Sequence, residues 1–363
     1  MANFLFAAAV VFFGLLVLVT TLLPLVPSHA WWIRAWDFPR LQLLILGCAV
    51  IVGAMFLGSP AKWIFIAALV AACAYQAVRI YPYTPLARTE MNNVPQRDDG
   101  SQTTILASNV EMPNEEFDRV ADLIAETDAD SVFLMETNET WFDRLADALA
   151  SYPTVVTELR DNYYGMIFAT RLTVHQAQIV YLTPDETPTL FAELETPSGH
   201  RFRFVGLHPR PPVPGNSTKD RDAQIIYSAR FARAKEMPLM AVGDFNDAAW
   251  SDTSRRFKHV GGYVDPRVGR GLVASFDAKS KLLRTPIDQF YATPDIALVD
   301  FRRGPDVGSD HFPLITRIEL DRDIAQEANV PPPPLPDDTL DELDRVMTTY
   351  RKTLDARHLP DLD

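Results

Sequence analysis

Residues 238–246 read PLMAVGDFN, an unbroken apolar run closed by Gly243-Asp244-Phe245-Asn246. A short apolar run without alternation is the pattern of a strand buried on both faces. Its polar end marks where the chain leaves the core. The same design recurs on both sides of it: SVFLME (131–136) ends in Glu136, FRFVGLH (202–208) in His208, and QTTILASNV (102–110) reaches Asn109, with Glu111 following. Asp310 and His311 open HFPLITRIEL, and Asp288 lies in IDQFYATPD (287–295). GMIFAT (165–170) and TLFAELE (189–195) read as further strands. Helical spacing appears at Phe117, Val120, Leu123 and Ile124, at Trp141, Leu145 and Leu149, and over 220–235. Strands outnumber helices, and hairpins mix with crossovers. The expected class is α/β of the α+β type, layered, with mixed sheets; a purely parallel sheet or an all-β barrel does not fit.

Upstream, residues 4–23 (FLFAAAVVFFGLLVLVTTLL) carry no charge, and 20 residues at 1.5 Å rise cover a hydrocarbon core of about 30 Å. Uncharged stretches at 41–59 and 63–78 follow. Trp31, Trp32, Trp36 and Trp63 flank them, at the level where amphipathic rings favour the headgroup zone. Met1-Ala2-Asn3 lacks the positive start of a signal peptide. The expectation is a multi-pass anchor of about three transmembrane helices. Arg34, Arg40, Arg79 and Arg88 fall on the domain side and Lys62 on the other, so the positive-inside rule points the domain to the cytoplasm. The bias rests on few residues, and the side stays open.

The chain carries a net charge of −13; four basic residues against Asp37 make residues 1–80 net positive, so the acidity lies in 81–363. Such a balance argues against a general nucleic-acid coat, which needs surplus Lys and Arg. It does not exclude an enzyme that grips phosphate through a metal. Both cysteines, Cys48 and Cys73, lie in the apolar region, which leaves the rest without a thiol nucleophile or a cysteine zinc site. There is no G-x-S-x-G elbow, H-E-x-x-H or P-loop.

Each polar strand end has an ordinary reading when taken alone: Glu136 as part of a helix start, Asp244 as a turn residue, His208 as a loop residue. Together they place carboxylates, amides and imidazoles at one rim, where mutual repulsion calls for a cation. Oxygen donors without cysteine suit Mg²⁺ or Mn²⁺. A hard cation with two histidines and spare acids is equipped for attack of water on a phosphate ester.

In order, ASNVE (107–111), LMETN (134–138), GLHPRPP (206–212), GDFN (243–246), PIDQF (286–290) and GSDH (308–311) resemble the endonuclease/exonuclease/phosphatase superfamily of metal-dependent phosphoesterases. GDFN with AAWS (248–251), and GPDVGSDHFP (304–313), look most like its bacterial membrane-anchored branch. The resemblance implies a four-layer α/β/β/α sandwich with catalysis at one end, in a bacterial inner-membrane protein. It implies Glu136 as principal metal ligand, with Asn109 beside it, Asp310 close and Glu111 second. Asp244 would orient or deprotonate water and Asn246 would hold a phosphate oxygen. His311 would contact the phosphate and move a proton, its tautomer fixed by Asp288, and His208 would bond a non-bridging oxygen. Arg210 and Arg221 are added as candidate contacts to an anionic substrate. Whether aspartate or histidine is the base stays open, as does the ester: nucleic acid, phospholipid head group or sugar phosphate. The rival reading is an inactive, membrane-tethered binding module on the same scaffold.

The organisation expected is an anchor over 1–80, a linker over 81–102, the catalytic domain over 103–320, and a tail over 321–363. The tail combines a Pro-rich spacer (VPPPPLPDD) with an amphipathic helix over 339–354, which either binds a protein partner or docks on its own domain.

Overall fold

The computed structural model describes residues 1–183, 186–231 and 237–352. Apolar helices come first: α1 (Ala2–Leu22), the short α2 (Trp31–Arg34), α3 (Arg40–Ala54) and α4 (Lys62–Ile80). Among the described residues, two stretches, Asn3–Leu25 and Lys62–Tyr83, are long and apolar enough to cross a membrane. The stretch expected to span at 41–59 is shorter: α3 has 15 residues, about 22 Å at 1.5 Å each. It stops before Gly58-Ser59-Pro60, a helix-breaking sequence. Trp31–Asp37 meets it through a 74° bend, and the pair counts as a third crossing only if taken as one broken span. A buried polar chain ties the domain-facing ends together: Arg40 donates to Asp37 (2.7 Å) and Gln76 (3.0 Å), and Gln76 donates to Thr21 (3.0 Å).

The described residues that follow form two sheets. The first contains β1 (Gln102–Asn109), β2 (Ser131–Met135), β3 (Thr154–Glu158) and β4 (Met166–Thr170). The second contains β5 (Thr173–Tyr181), β6 (Pro188–Glu195), β7 (Arg201–Leu207), β8 (Leu239–Asp244) and β9 (Asp288–Ala292). The chain then returns to the first sheet through β10 (Ala297–Arg303) and β11 (Leu314–Glu319). The strand orders are β10-β11-β1-β2-β4-β3 and β5-β6-β7-β8-β9. Each sheet has one parallel pair, β1–β2 and β7–β8, and every other pairing is antiparallel. A parallel pair needs a crossover, and helices α5 (Phe117–Thr127) and α8 (Lys219–Phe231) lie in these two connections. The four polar ends Asn109, Glu136, His208 and Asp244 therefore cap the C-terminal ends of the two parallel pairs, where α/β folds place ligands.

The central core draws on both sheets, with Ile105, Phe133 and Phe168 meeting Leu190, Phe204, Met240 and Phe290. Gly206 leaves the space that the Phe133 ring fills. A second cluster joins the first sheet to α5, α6 (Glu139–Arg144) and α7 (Ala146–Leu149) through Val120, Leu123, Trp141 and Leu149. A third joins the second sheet to α8 and α9 (Asp252–Gly261) through Ile225, Phe257 and Val260. Strands β3, β5 and β10 were not predicted from sequence.

The segment expected as a linker packs against the domain. Met91 is fully buried in the central core, Glu90 pairs with Lys258, and the Tyr83 hydroxyl donates to the Ala249 carbonyl (2.7 Å). The AAWS stretch is the seam with the apolar helices. Ala248, Ala249 and Trp250 pack with Ile80, Tyr83, Leu41 and Leu44, and the Trp250 indole donates to the Asp37 carbonyl (2.7 Å). Arg79 pairs with Asp252 at 2.7 Å. In the tail, α10 (Arg322–Ala328), capped by Asp321, was not expected, and α11 (Asp337–Arg351) covers most of the predicted helix. Leu354, at the end of the predicted stripe, lies outside the described residues, as do the last residues of the 220–235 helix. Pro332, Leu335, Thr339 and Glu342 border a cavity of about 1330 Å³ shared with α4 and α9.

Candidate active site

The local backbone at the site departs from ordinary strand ends. Glu111, Glu136 and Asn246 have φ of 57°, 62° and 47°. Such left-handed positions cost about 1–3 kcal/mol for a non-glycine residue and cluster where function requires them. Gly243, at φ 146°, is required by contact, since a Cβ there would meet the Leu207 carbonyl oxygen at 1.9 Å. It lets β8 approach β7 closely just before Asp244.

Asn109 bridges the sheets. Its amide nitrogen donates to Glu136 Oε1 (2.9 Å) on the first sheet and to Asp244 Oδ2 (3.2 Å) on the second. Glu136 Oε2 accepts from the Met112 N–H (3.2 Å), and burial pushes its carboxyl above the usual range. Asp244 is 1% exposed and is likewise pushed up by burial, against the opposing pull of His311. Its Oδ1 accepts from the Asn246 N–H (2.8 Å).

Asp288, opposite Asp244 in the β8–β9 register, accepts from His311 Nδ1 at 2.8 Å. This directs His311 Nε2 toward Asp244 Oδ2 (3.6 Å) and Asp310 Oδ1 (3.8 Å). Burial alone would depress this imidazole; the carboxylates of Asp288 and Asp244 outweigh it and push it up to about 10. Ser309 fixes the turn, donating to the Asn109 carbonyl (2.8 Å) and accepting from the His311 N–H (3.0 Å). Phe276 packs on the His311 ring, centroids 4.9 Å apart.

His208 is equally buried and differently treated. Its Nε2 is 3.8 Å from both Glu136 and Asp244, and its buried Nδ1 has no hydrogen-bond partner among the described residues. Burial dominates and holds it below the usual histidine range, hence neutral at pH 7. Tyr164 packs against it at 5.5 Å.

The structure thus gathers Asn109, Glu136, His208, Asp244, Asn246, Asp288, Asp310 and His311 at one rim. Asn246 spends one of its two amide protons on the Pro209 carbonyl (3.0 Å). Glu111 ties the rim together, its Oε2 taking Lys279 (2.5 Å) and the Asp310 N–H (2.9 Å). Arg210 lies over the Tyr164 ring beside His208, 4.8 Å from its centroid. Arg221 departs from its expected role as a substrate contact. It is 2% exposed, paired with Asp222 (2.8 Å) and Asp247 (3.3 Å), and donates to the Asn246 carbonyl (2.9 Å). It positions the GDFN turn from below, because a buried, fully engaged guanidinium cannot reach a ligand. Sequence reasoning missed Tyr164 and Phe276, which sit in irregular segments with no motif. It also gave no role to Ser309, although that residue is part of the quoted GSDH.

Asp244, Asp288 and His311 bring one ligand-type atom each within 4.8 Å of one another. This grouping is not the expected metal set of Glu136, Asn109, Asp310 and Glu111. Two of its three members already share a 2.8 Å hydrogen bond, which marks an acid–base pair rather than an open cage.

A family model described as the Endonuclease/Exonuclease/phosphatase family matches residues 106–311. No curated protein matches the sequence. Among solved structures, the fold is similar to D. rerio TDP2 complexed with a single-strand DNA product, at 17% identity and a TM-score of 0.52, over 60% of this chain and 99% of that one. It is also similar to the endonuclease/exonuclease/phosphatase from Bacteroides vulgatus, at 18% identity and 0.51, over 61% and 99%. At these identities the likeness concerns the fold alone.

Proposed function

Because the chain belongs to the endonuclease/exonuclease/phosphatase family, whose members are phosphoester hydrolases, we propose that it is a membrane-anchored, divalent-metal-dependent phosphoesterase of the α/β/β/α sandwich type. It hydrolyses a phosphodiester or phosphomonoester by in-line attack of water. The observation that carries this is the meeting of Glu136 and Asn109 from one sheet with Asp244 from the other, against the His311–Asp288 pair. Two N-terminal stretches with the length and composition of membrane spans support the anchor.

The donor set fits a hard cation. Oxygen ligands are present without cysteine, and burial pushes Glu136, Asp244 and Asp310 up against the pull of His311, a rise that a bound cation would offset. Glu136 would hold Mg²⁺ or Mn²⁺ with Asn109 and Asp310, and Glu111 next to them. When bound, the cation supplies Lewis-acid polarisation of a phosphoryl oxygen and eases deprotonation of water.

The chain's own residues divide the remaining work. Asp244, its basicity raised by burial, accepts the proton of the attacking water. His311, kept protonated by Asp288, presents Nε2–H to the phosphate and its leaving oxygen. His208 donates, as neutral imidazole, to a non-bridging oxygen as charge develops, and Asn246 offers its second amide proton to another. Arg210 stands at the entrance, held over Tyr164. The inactive-module alternative has no use for an imidazole held protonated between two buried carboxylates. The test is turnover of a chromogenic phosphodiester by the full chain in nanodiscs. Activity with Mg²⁺ or Mn²⁺, abolished by EDTA and restored by metal, is expected. Activity indifferent to EDTA overturns the metal reading.

A further inference from the structure

The rim of the site and the apolar helices touch at three places. The Thr218 N–H donates to the His29 carbonyl (2.9 Å), the Trp250 indole to the Asp37 carbonyl (2.7 Å), and the Gln42 side chain to the Leu282 carbonyl (2.7 Å). Each of these loops adjoins a residue of the site. Residues 209–218 follow His208, 245–251 follow Asp244, and 274–287 lead into Asp288 and carry Phe276 against His311. On the helix side, the contacts fall between α1 and α3 and in the first turn of α3, where Arg34, Asp37, Arg40 and three tryptophans stand. Such residues mark the headgroup level of a span. The catalytic rim is therefore held beside the boundary between lipid and water.

The third loop presents apolar side chains at that level. Leu282 is 81% exposed and Leu283 60%. They are held outward by a built turn, since both backbone N–H groups donate to Ser280 Oγ (3.3 and 3.2 Å). Lys281 and Arg284 stand beside them in the chain, while Lys279 is paired with Glu111. Exposed leucines flanked by basic residues, on a loop bonded to the apolar helix α3, suit insertion among anionic head groups. Leu283 and Asp288 are five residues apart, at most about 18 Å of extended chain.

We infer that the Leu282–Leu283 turn dips into the bilayer that holds the N-terminal helices, and that the substrate is the phosphate ester head group of a lipid in that bilayer. This rests on the phosphoesterase and anchor readings above. The full chain, reconstituted in phosphatidylcholine liposomes containing phosphatidylglycerol, phosphatidylethanolamine or phosphatidic acid, is assayed for head-group release beside a water-soluble chromogenic phosphodiester. At least one lipid is turned over. The double variant Leu282→Asp, Leu283→Asp lowers that rate about ten-fold or more, from lost burial of two leucines, and leaves the soluble ester within about two-fold. Hydrolysis of the soluble ester with no lipid turned over, or equal lipid rates in the variant, overturns the inference and spares the phosphoesterase reading; failure on every ester overturns both. Independently, an environment-sensitive dye on Leu283→Cys, with Cys48 and Cys73 replaced by Ser, is shielded from aqueous iodide in liposomes. A fully quenched dye contradicts insertion.

Discussion

The two histidines of the site are buried to the same degree, at 2% and 4% exposure, yet their surroundings drive them to opposite charge states. The region around His311 supplies a carboxylate in direct contact and a second at 3.6 Å, which together overcome desolvation. Around His208 the nearest carboxylates are 3.8 Å away and one ring nitrogen has no partner, so desolvation wins. Burial alone does not fix a histidine's role; the distance to the nearest anion does. One imidazole is equipped to give a proton and the other to remain neutral and donate a hydrogen bond.

The largest effect that tests this contrast is on rate. His311→Ala is expected to lower kcat by about 10²–10⁴-fold, the range for a proton-transfer group, and His208→Gln by about 10²-fold, the lower end of the range for loss of one charge-stabilising donor. Steady-state kinetics on one ester decides it, and equal losses would break the contrast. A smaller effect concerns pH. Asp288→Asn removes the main anion that raises His311, so the alkaline limb of the kcat profile moves to lower pH; an unmoved limb would assign it to another group.

The smallest effect is on the stability of chelator-treated protein. His311, raised to about 10, contributes stability that is complete below its unfolded value of about 6.5 and is lost as pH rises from there through about 10. His208, held below that value, contributes stability that is complete above about 6.5 and is lost as pH falls through its lower folded value. Denaturation across pH should show His311→Gln flattening the alkaline side alone and His208→Gln the acid side alone.

Much of this was legible because the site sits where buried strands end. β1, β2, β7 and β8 are central, nearly continuous apolar runs, and a polar residue closing such a run is conspicuous. The strands that escaped prediction, β3, β5 and β10, are all sheet edges. One face of an edge strand meets water, so sequences such as TVVTE and TVHQAQIVY mix polar residues into the pattern and lose the signal. The fourth edge, β9, was predicted because it is buried throughout. Arg221 misled for a related reason: sequence gives its charge but not Asp222 and Asp247, which consume it. The positive-inside count has the same weakness, since Arg34, Arg40 and Arg79 are paired with Asp37 and Asp252. These arginines are engaged in ion pairs, and their number bears less on sidedness than loop charges free in water.

The central claim is that residues from both sheets act as one catalytic unit. Turnover by the double variant Glu136→Gln, Asp244→Asn, one residue from each sheet, set beside each single variant, tests it most directly. Groups that work as a unit are strongly non-additive, so the double variant should be no slower than the slower single one. Losses that multiply across the two substitutions would show two independent contributions and contradict the account.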